Sequence, residues 1–179
     1  MELFNIILDE ITGVISKVDE ESFKKVASAI SKEKRIFVHG EGRSGLMGKG
    51  FAMRLMHLGY QVYVVGETIT PALGKDDLFI SVSGSGKSEN VVSDTKKAKK
   101  VGCEVIAFTS NTESDFAKEA DIVVKVPGTV KGDEGENRKS VQLLSSLFDQ
   151  SIHIVLDGLC LYLSQINQIS NNEATKTHW

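Results

Sequence analysis

The chain has 179 residues, of which 41% are hydrophobic and 25% charged, and these proportions predict one domain with a packed, soluble core. The formal net charge is −3 and the basic residues form no stripe, so we expect no nucleic-acid partner. No run of about 18 apolar residues occurs and the start, MELFNIILDE, lacks a basic region, so we expect no membrane-spanning helix, no signal peptide and a cytoplasmic location.

The first third of the chain begins with the apolar period of two helices. They are predicted over 3–18 and 20–33, and Asp19 is placed to cap the second. Five short apolar runs rich in Val, Ile and Phe follow and predict strands, with helical stretches between several of them. The predicted strands are 35–40, 61–66, 77–83, 104–110 and 121–127, and the helical stretches are 43–58, 88–101 and 113–119.

The last third of the chain predicts a loop, a helix and a tail. Residues 128–140 are polar and glycine-rich, which is typical of a loop. A long helix is predicted over 141–164, followed by a polar tail. Its apolar positions include Val141, Leu144, Leu147, Phe148, Ile152, Val155, Leu156 and Leu159. We therefore expect a single domain over 1–179, with N-terminal helices in 1–33 and a C-terminal helix and tail in 141–179.

The alternation of strands and helices predicts an α/β fold, a three-layer αβα sandwich around a five-stranded parallel sheet. With right-handed crossovers the expected strand order is 2-1-3-4-5, as in flavodoxin-like folds. Ligands in such sheets bind at the carboxyl ends of the strands beside the switch point, here strands 1 and 3. A glycine-rich loop follows each of these two strands, so both loops are candidate binding elements.

The loop after strand 3 reads SVSGSGKSEN (81–90), and its GKS resembles the end of a nucleotide P-loop. Ser81 stands where that pattern requires its first glycine, and no Mg²⁺-binding acid is evident at a neighbouring strand end. Free amides at a helix N-terminus, close-approaching glycines and several hydroxyls suit a phosphate monoester better. The serines could instead serve only turn and capping chemistry, and the lysine could simply be solvated. The candidate phosphate ligands are Ser83, Gly84, Ser85, Gly86, Lys87 and Ser88.

The loop after strand 1, GEGRSG (40–45), matches the G-x-G-x-x-G pattern of dinucleotide-binding folds. Glu67 would then supply the acid that such sites place about 20 residues on, but it lies late, and the second loop would have no role. The polar side chains in the first loop suit contacts to a sugar phosphate instead. Its candidate residues are Gly42, Arg43 and Ser44.

Three stretches together resemble the 6-phospho-3-hexuloisomerases of the SIS (sugar isomerase) domain family: GEGRSGLMGKGFAMRLMHLG (40–59), VGETITP (65–71) and KDDLFISVSGSGKSENV (75–91). The resemblance extends from about residue 30 to 165. It implies isomerisation of D-arabino-hex-3-ulose 6-phosphate to D-fructose 6-phosphate, through a cis-enediol(ate), in the ribulose monophosphate route of formaldehyde fixation. It also implies no metal, no organic cofactor, and a homo-tetramer with active sites where subunits meet.

The resemblance also assigns the catalytic base. The family places a glutamate in a P-M-G-S-x-F-E segment, and QLLSSLFDQ (142–150) puts Asp149 at that position. Aspartate is one methylene shorter, so its carboxylate would sit about 1.5 Å back, and we expect the helix start to compensate. The ending TKTHW resembles the family's tail, whose histidine reaches a neighbouring site, and this implies a role for His178. Glu67 is the reserve base.

Two other functions remain open at this point. One is a non-catalytic sugar-phosphate sensor that uses the same pocket, although we expect no attached DNA-binding domain in a chain of this length. The other is an isomerase of a different sugar phosphate, such as arabinose 5-phosphate.

Cys103 and Cys160 stand alone and are expected to be buried structural thiols.

Overall fold

A parallel sheet forms the centre of the structure, a computed structural model that describes residues 2–179; Met1 lies outside them. Its strands are β1 (Ile36–Gly40), β2 (Val62–Val64), β3 (Leu78–Val82), β4 (Glu104–Thr109) and β5 (Ile122–Lys125). The strand order is β2-β1-β3-β4-β5 and every pairing is parallel, which confirms the predicted topology. Each strand lies within its predicted apolar run.

Seven helices surround the sheet within the described residues. They are α1 (Glu2–Ile15), α2 (Glu20–Ala29), α3 (Gly42–His57), α4 (Glu89–Val101), α5 (Asp115–Lys118), α6 (Ser146–Ile166) and α7 (Asn171–Lys176), and a short 3₁₀ turn spans Gly135–Asn137. Asp19 caps α2 as predicted, because its carboxylate accepts from the Ser22 amide at 2.7 Å. No helix in residues 2–179 has both the length and the apolar character needed to cross a membrane.

Both faces of the sheet are covered, which is why its strands are mainly apolar rather than alternating between apolar and polar residues. Ile36 and Val38 of β1 pack into a core with α2, α3 and α6. Phe37, between them in sequence, points to the opposite face and lies in a separate cluster with Phe79 of β3 and Ala98 of α4. The predicted three-layer sandwich is therefore confirmed.

The start of the long helix was predicted wrongly. Helix α6 begins at Ser146, and the preceding Val141 and Leu144 are 67% and 63% exposed rather than in the core. Hydrogen bonds hold this segment out of the helix: Glu10 of α1 accepts from the Val141 amide at 2.8 Å, and Arg138 donates to the Leu144 carbonyl at 3.4 Å. An apolar period alone could not reveal these polar contacts.

Residues 171–176, within the stretch that the sequence marks only as a polar tail, form helix α7. Ser170 and Glu173 make a reciprocal capping box at its start, a signal that the sequence carries and that the prediction missed. Thr177 then donates to the carbonyl of His57 at 2.9 Å, which fixes the tail against the end of α3.

Candidate functional site

The first glycine loop connects β1 to α3 through a sharp turn. Gly42 has φ +56°, a left-handed conformation that suits glycine, and it begins the helix. Arg43 and Ser44 follow in the first turn of α3. A Cβ added to Gly45 would lie 2.4 Å from the carbonyl oxygen of Gly40, so the helix approaches the strand end at a distance that only glycine permits. This approach sets where the side chains of Arg43 and Ser44 project.

Asp149 lies beside these two side chains, although it is more than 100 positions away in sequence. Ser44 Oγ donates to Asp149 Oδ1 at 2.6 Å, and Arg43 Nε lies 3.8 Å from Asp149 Oδ2. Arg43 Nη1 also donates to Ser146 Oγ at 2.8 Å, at the first residue of α6. The packing of α3 on α6 thus brings together the predicted base and two predicted ligands of the first loop.

The carboxyl group of Asp149 is almost fully enclosed, with 2% of the residue exposed. Burial raises its pKa above the ordinary value for aspartate, while the hydrogen bond from Ser44 and the charge of Arg43 act in the opposite direction. A carboxylate of raised basicity, oriented by a hydroxyl, has the properties of a general base.

In the second glycine loop, the backbone carbonyl of Gly84 is bonded to the protein while several backbone amides are left free among the described residues. The Gly84 carbonyl accepts from Thr109 Oγ1 at 3.1 Å, from Ser110 Oγ at 2.8 Å and from the Ser110 amide at 3.0 Å, so it faces the protein. The amides of Gly84, Ser85 and Ser88, by contrast, donate to no acceptor within residues 2–179. Free amides ahead of α4, a 13-residue helix, form an anion-binding arrangement.

Glycine is required at two positions of this loop. A Cβ at Gly84 would lie 2.8 Å from Val130 Cγ1 and 2.9 Å from Phe148 Cδ1. Gly86 has φ +67°, and a Cβ there would lie 2.2 Å from Ser114 Oγ. Because Phe148 directly precedes Asp149, the contact at Gly84 places the second loop against the start of α6, next to the candidate base.

The serines of the second loop differ in exposure. Ser83 is buried, Ser85 is half-buried and accepts from the Lys87 amide at 3.2 Å, and Lys87 is exposed. A cavity of about 960 Å³ opens on this side of the loop, between α1 and the segment after β5. Its lining includes Ser85, Lys87, Ser110, Asn111, Thr129 and Ser145.

Glu41 joins the two loops and was not among the predicted site residues. Its carboxylate accepts from Ser88 Oγ and from Asn90 Nδ2, the latter at 2.6 Å. These hydrogen bonds lower the pKa of Glu41. Ser146, which binds Arg43, was also missed. The sequence did carry a signal for Glu41: it is an acidic residue between Gly40 and Gly42, in a loop whose other features suit an anion.

Glu67 and His178 make their contacts with residues outside this group in the described chain. Glu67 pairs with Lys49 Nζ at 2.7 Å, and both side chains are about half exposed. His178 stacks on His57 with ring centroids 5.1 Å apart. His57 ends α3, about 20 Å along the helix from Ser44 at 1.5 Å per residue. A role for His178 in a neighbouring subunit's site stays a prediction.

Metal-ligand clusters and reactive thiols are both absent from the described part of the chain. Within residues 2–179, no cluster of three or more His, Cys, Asp or Glu side chains is arranged to hold a metal ion. Cys103 and Cys160 are buried free thiols, as predicted, and burial raises their pKa values to about 11 and about 12. Both therefore stay protonated at neutral pH and are poor nucleophiles.

Comparison with known proteins places this arrangement in a family. The SIS domain family matches residues 29–154 of the chain. A Bacillus subtilis protein named 3-hexulose-6-phosphate isomerase is 37% identical over 172 residues, which are 96% of this chain and 92% of that protein. A Mycobacterium gastri protein of the same name is 38% identical over 174 residues, 97% of this chain and 87% of that protein.

Among solved structures, a Methanococcus jannaschii protein superposes with a TM-score of 0.86 at 33% identity, covering 100% of this chain and 98% of that one. Its structure is described as inferring the function of a 3-hexulose-6-phosphate isomerase. These matches confirm the resemblance that the two glycine loops predict. The chain belongs to the SIS domain family and, within it, to the family of 3-hexulose-6-phosphate isomerases.

Proposed function

We propose that this chain isomerises D-arabino-hex-3-ulose 6-phosphate to D-fructose 6-phosphate, the reaction that its named relatives imply. The observation that carries the proposal is the buried carboxylate of Asp149, held by Ser44 beside two glycine loops, one of which presents free amides to an anion. A phosphate site and a base of raised pKa at one edge of the sheet are what a ketose-phosphate isomerase needs.

The second loop is the proposed phosphate site. A monoester carries a charge of about −1.5 to −2 at neutral pH and offers three acceptor oxygens. The amides of Gly84, Ser85 and Ser88 and the N-terminus of α4 supply donors and a partial positive charge. The hydroxyls of the serines add further donors, and the exposed Lys87 stands at the edge of the same loop.

The reaction moves the carbonyl from C3 to C2. Asp149 takes the proton from C2, which gives a cis-enediol(ate), and returns it at C3, while the hydroxyl proton of O2 passes to O3. Ser44 orients the carboxylate through its hydrogen bond, and Arg43, half exposed beside it, supplies positive charge where the enediolate oxygens develop. Aspartate is one methylene shorter than the family's glutamate, and we propose that the packing of the start of α6 against the first loop compensates for the difference.

The pH dependence of activity tests the role of Asp149. The base acts as a carboxylate, so kcat/KM should fall as the pH drops through the pKa of Asp149, which burial raises above its ordinary value. Ser44→Ala removes a hydrogen bond that lowers this pKa, so the acid limb should move to higher pH. Measurement of kcat/KM against pH for both proteins checks this, and an unmoved limb would contradict the assignment.

A coupled assay tests the activity itself. Purified protein is mixed with formaldehyde, ribulose 5-phosphate and a hexulose phosphate synthase, and fructose 6-phosphate is expected to appear at a rate set by the protein. Binding of fructose 6-phosphate without turnover would indicate a sensor instead. Conversion of arabinose 5-phosphate in place of the hexulose phosphate would indicate a different sugar isomerase.

We also propose that the isomerisation is a step of the ribulose monophosphate route and takes place in the cytoplasm.

We further propose a homo-tetramer, supported by large apolar side chains left exposed on the helical layer. Phe4 and Leu8 of α1 are 55% and 59% exposed, and Met53 and Leu161 of α3 and α6 are 51% and 61% exposed. Such side chains on neighbouring helices are typical of a surface that binds another protein. Copies of this chain are the proposed occupants.

The expected mass in solution is that of four chains. Replacing Phe4 and Leu8 together by Glu should shift the sedimentation-equilibrium mass to a smaller species, because charges on an apolar contact oppose association. The control is Lys118→Glu on the exposed face of α5, which should leave the mass unchanged. A wild-type mass of one chain would contradict the proposal.

A further inference from the structure

The two glycine loops are joined by the carboxylate of Glu41, which does not cap the helix that follows it. Glu41 directly precedes α3, yet its side chain makes no capping hydrogen bond there. It accepts instead from Ser88 Oγ and from Asn90 Nδ2 at the start of α4. A negative charge therefore lies at the edge of a loop whose free amides suit an anion.

This contact conflicts with phosphate binding by Ser88. A serine hydroxyl has one proton to donate. In the free protein that proton is directed at Glu41. A bond to a charged acceptor is about twice as strong as a bond to a neutral one, so the hydroxyl is not freely available. The hydrogen bonds from Ser88 and Asn90 also keep Glu41 ionised at neutral pH, because they lower its pKa.

We propose that Glu41 sets the affinity of the site for the phosphate group: it holds the Ser88 hydroxyl in the free protein and yields it when a sugar phosphate binds. The inference rests on the proposed function, because it takes the second loop to be the phosphate site. In the free protein the contact keeps the two loops in register. In the complex the carboxylate repels the phosphate. This repulsion weakens binding of the sugar phosphate and favours release of the product.

The expected size of the effect follows from the charges. A phosphate that accepts from Ser88 lies about 6 Å from the Glu41 carboxylate, and removing a unit charge at that distance in a water-like dielectric tightens binding of a dianion about tenfold. The exposed position of Glu41 justifies the water-like value. Loss of competition for the Ser88 proton acts in the same direction.

Calorimetric titration of the purified full chain with fructose 6-phosphate and with inorganic phosphate tests the inference. Glu41→Gln keeps the shape and an acceptor oxygen but removes the charge, and it should lower both dissociation constants about tenfold. Asn90→Ala is the matched control, since it removes a donor to the same carboxylate and leaves the charge, so binding should not tighten. Unchanged or weaker binding by Glu41→Gln would overturn the inference and leave Glu41 a structural link.

Two further variants make the result specific. Glu41→Asp keeps the charge but draws it about 1.5 Å away from Ser88, so it should tighten binding by a smaller factor, and it serves if Glu41→Gln does not fold. In a Ser88→Ala background the gain from Glu41→Gln should shrink, because no hydroxyl is left to release. An equal gain in both backgrounds would overturn the proposed release of the Ser88 hydroxyl from Glu41 to the phosphate.

The wild-type measurement separates the two proposals. If the wild-type chain binds neither fructose 6-phosphate nor inorganic phosphate, the proposed function of the second loop fails. If it binds and isomerises the sugar phosphate but Glu41→Gln binds no more tightly, only the role of Glu41 fails.

Discussion

Asp149→Asn should lower kcat for the isomerisation by about 10²–10⁴, the usual contribution of a positioned general base. The change is nearly isosteric and retains the oxygen that accepts from Ser44 at 2.6 Å, so the site should keep its shape. The amide cannot take the C2 proton. The dissociation constant for fructose 6-phosphate should therefore change little, because the phosphate is held by the second loop.

The same substitution two turns further along α6 provides the control. Asp157 is half exposed and lies 3.5 Å from His153, away from the first loop, so Asp157→Asn should leave kcat unchanged. Initial rates in the coupled assay and calorimetric binding of fructose 6-phosphate measure both variants. Full activity of Asp149→Asn would remove Asp149 from the role of base and direct attention to Glu67.

Gly45→Ala is expected to destabilise the fold and disturb the site at once. The added Cβ would lie 2.4 Å from the carbonyl oxygen of Gly40 and 2.7 Å from its carbonyl carbon, and both are backbone atoms with no rotamer to change. Overpacking of this kind costs about 1–3 kcal/mol in the free energy of unfolding, and more where nothing can relax. Because Gly40 pairs with Val82 at the end of β3, movement of Gly40 also shifts the first loop relative to the second.

Gly50 of the same helix is the matched control. A Cβ there would have no atom within 4 Å, and alanine is the better helix former by about 0.8–1 kcal/mol. Urea unfolding should therefore show Gly50→Ala as stable as the wild type or more so, and Gly45→Ala clearly less stable. Equal midpoints for Gly45→Ala and the wild type would show that α3 does not approach β1 as closely as described.

The sheet could be predicted from sequence because its signals are local. Each buried strand is a short run of Val, Ile and Phe, and the glycine loop at 40–45 marks the end of the first strand and the start of its helix. Parallel pairing with helices between strands then leaves few possible topologies. The start of α6 could not be predicted in this way. Its position depends on Glu10 in α1, and a contact over 130 residues leaves no trace in the local period.

The site was predictable in part for the same reason. Glycine and serine spacing marks both loops directly in the sequence. The contact between Ser44 and Asp149, by contrast, exists only because α3 packs on α6, and the family resemblance rather than spacing pointed to Asp149. Glu41 was missed because its role depends on the neighbouring position of Ser88 and Asn90 at the next strand end. Adjacent parallel strands bring such residues together, so an acid in one loop should be considered with the donors of the other.

A crystal structure of Asp149→Asn with fructose 6-phosphate is the most direct test. The predicted complex has the phosphate within about 3 Å of the amides and hydroxyls of the second loop, at ordinary hydrogen-bond distance. It also has C2 and C3 about 3–3.5 Å from the side chain at position 149, the separation of reacting atoms in a near-attack geometry. A phosphate bound away from residues 83–88, or a sugar whose C2 and C3 face away from position 149, would contradict the account.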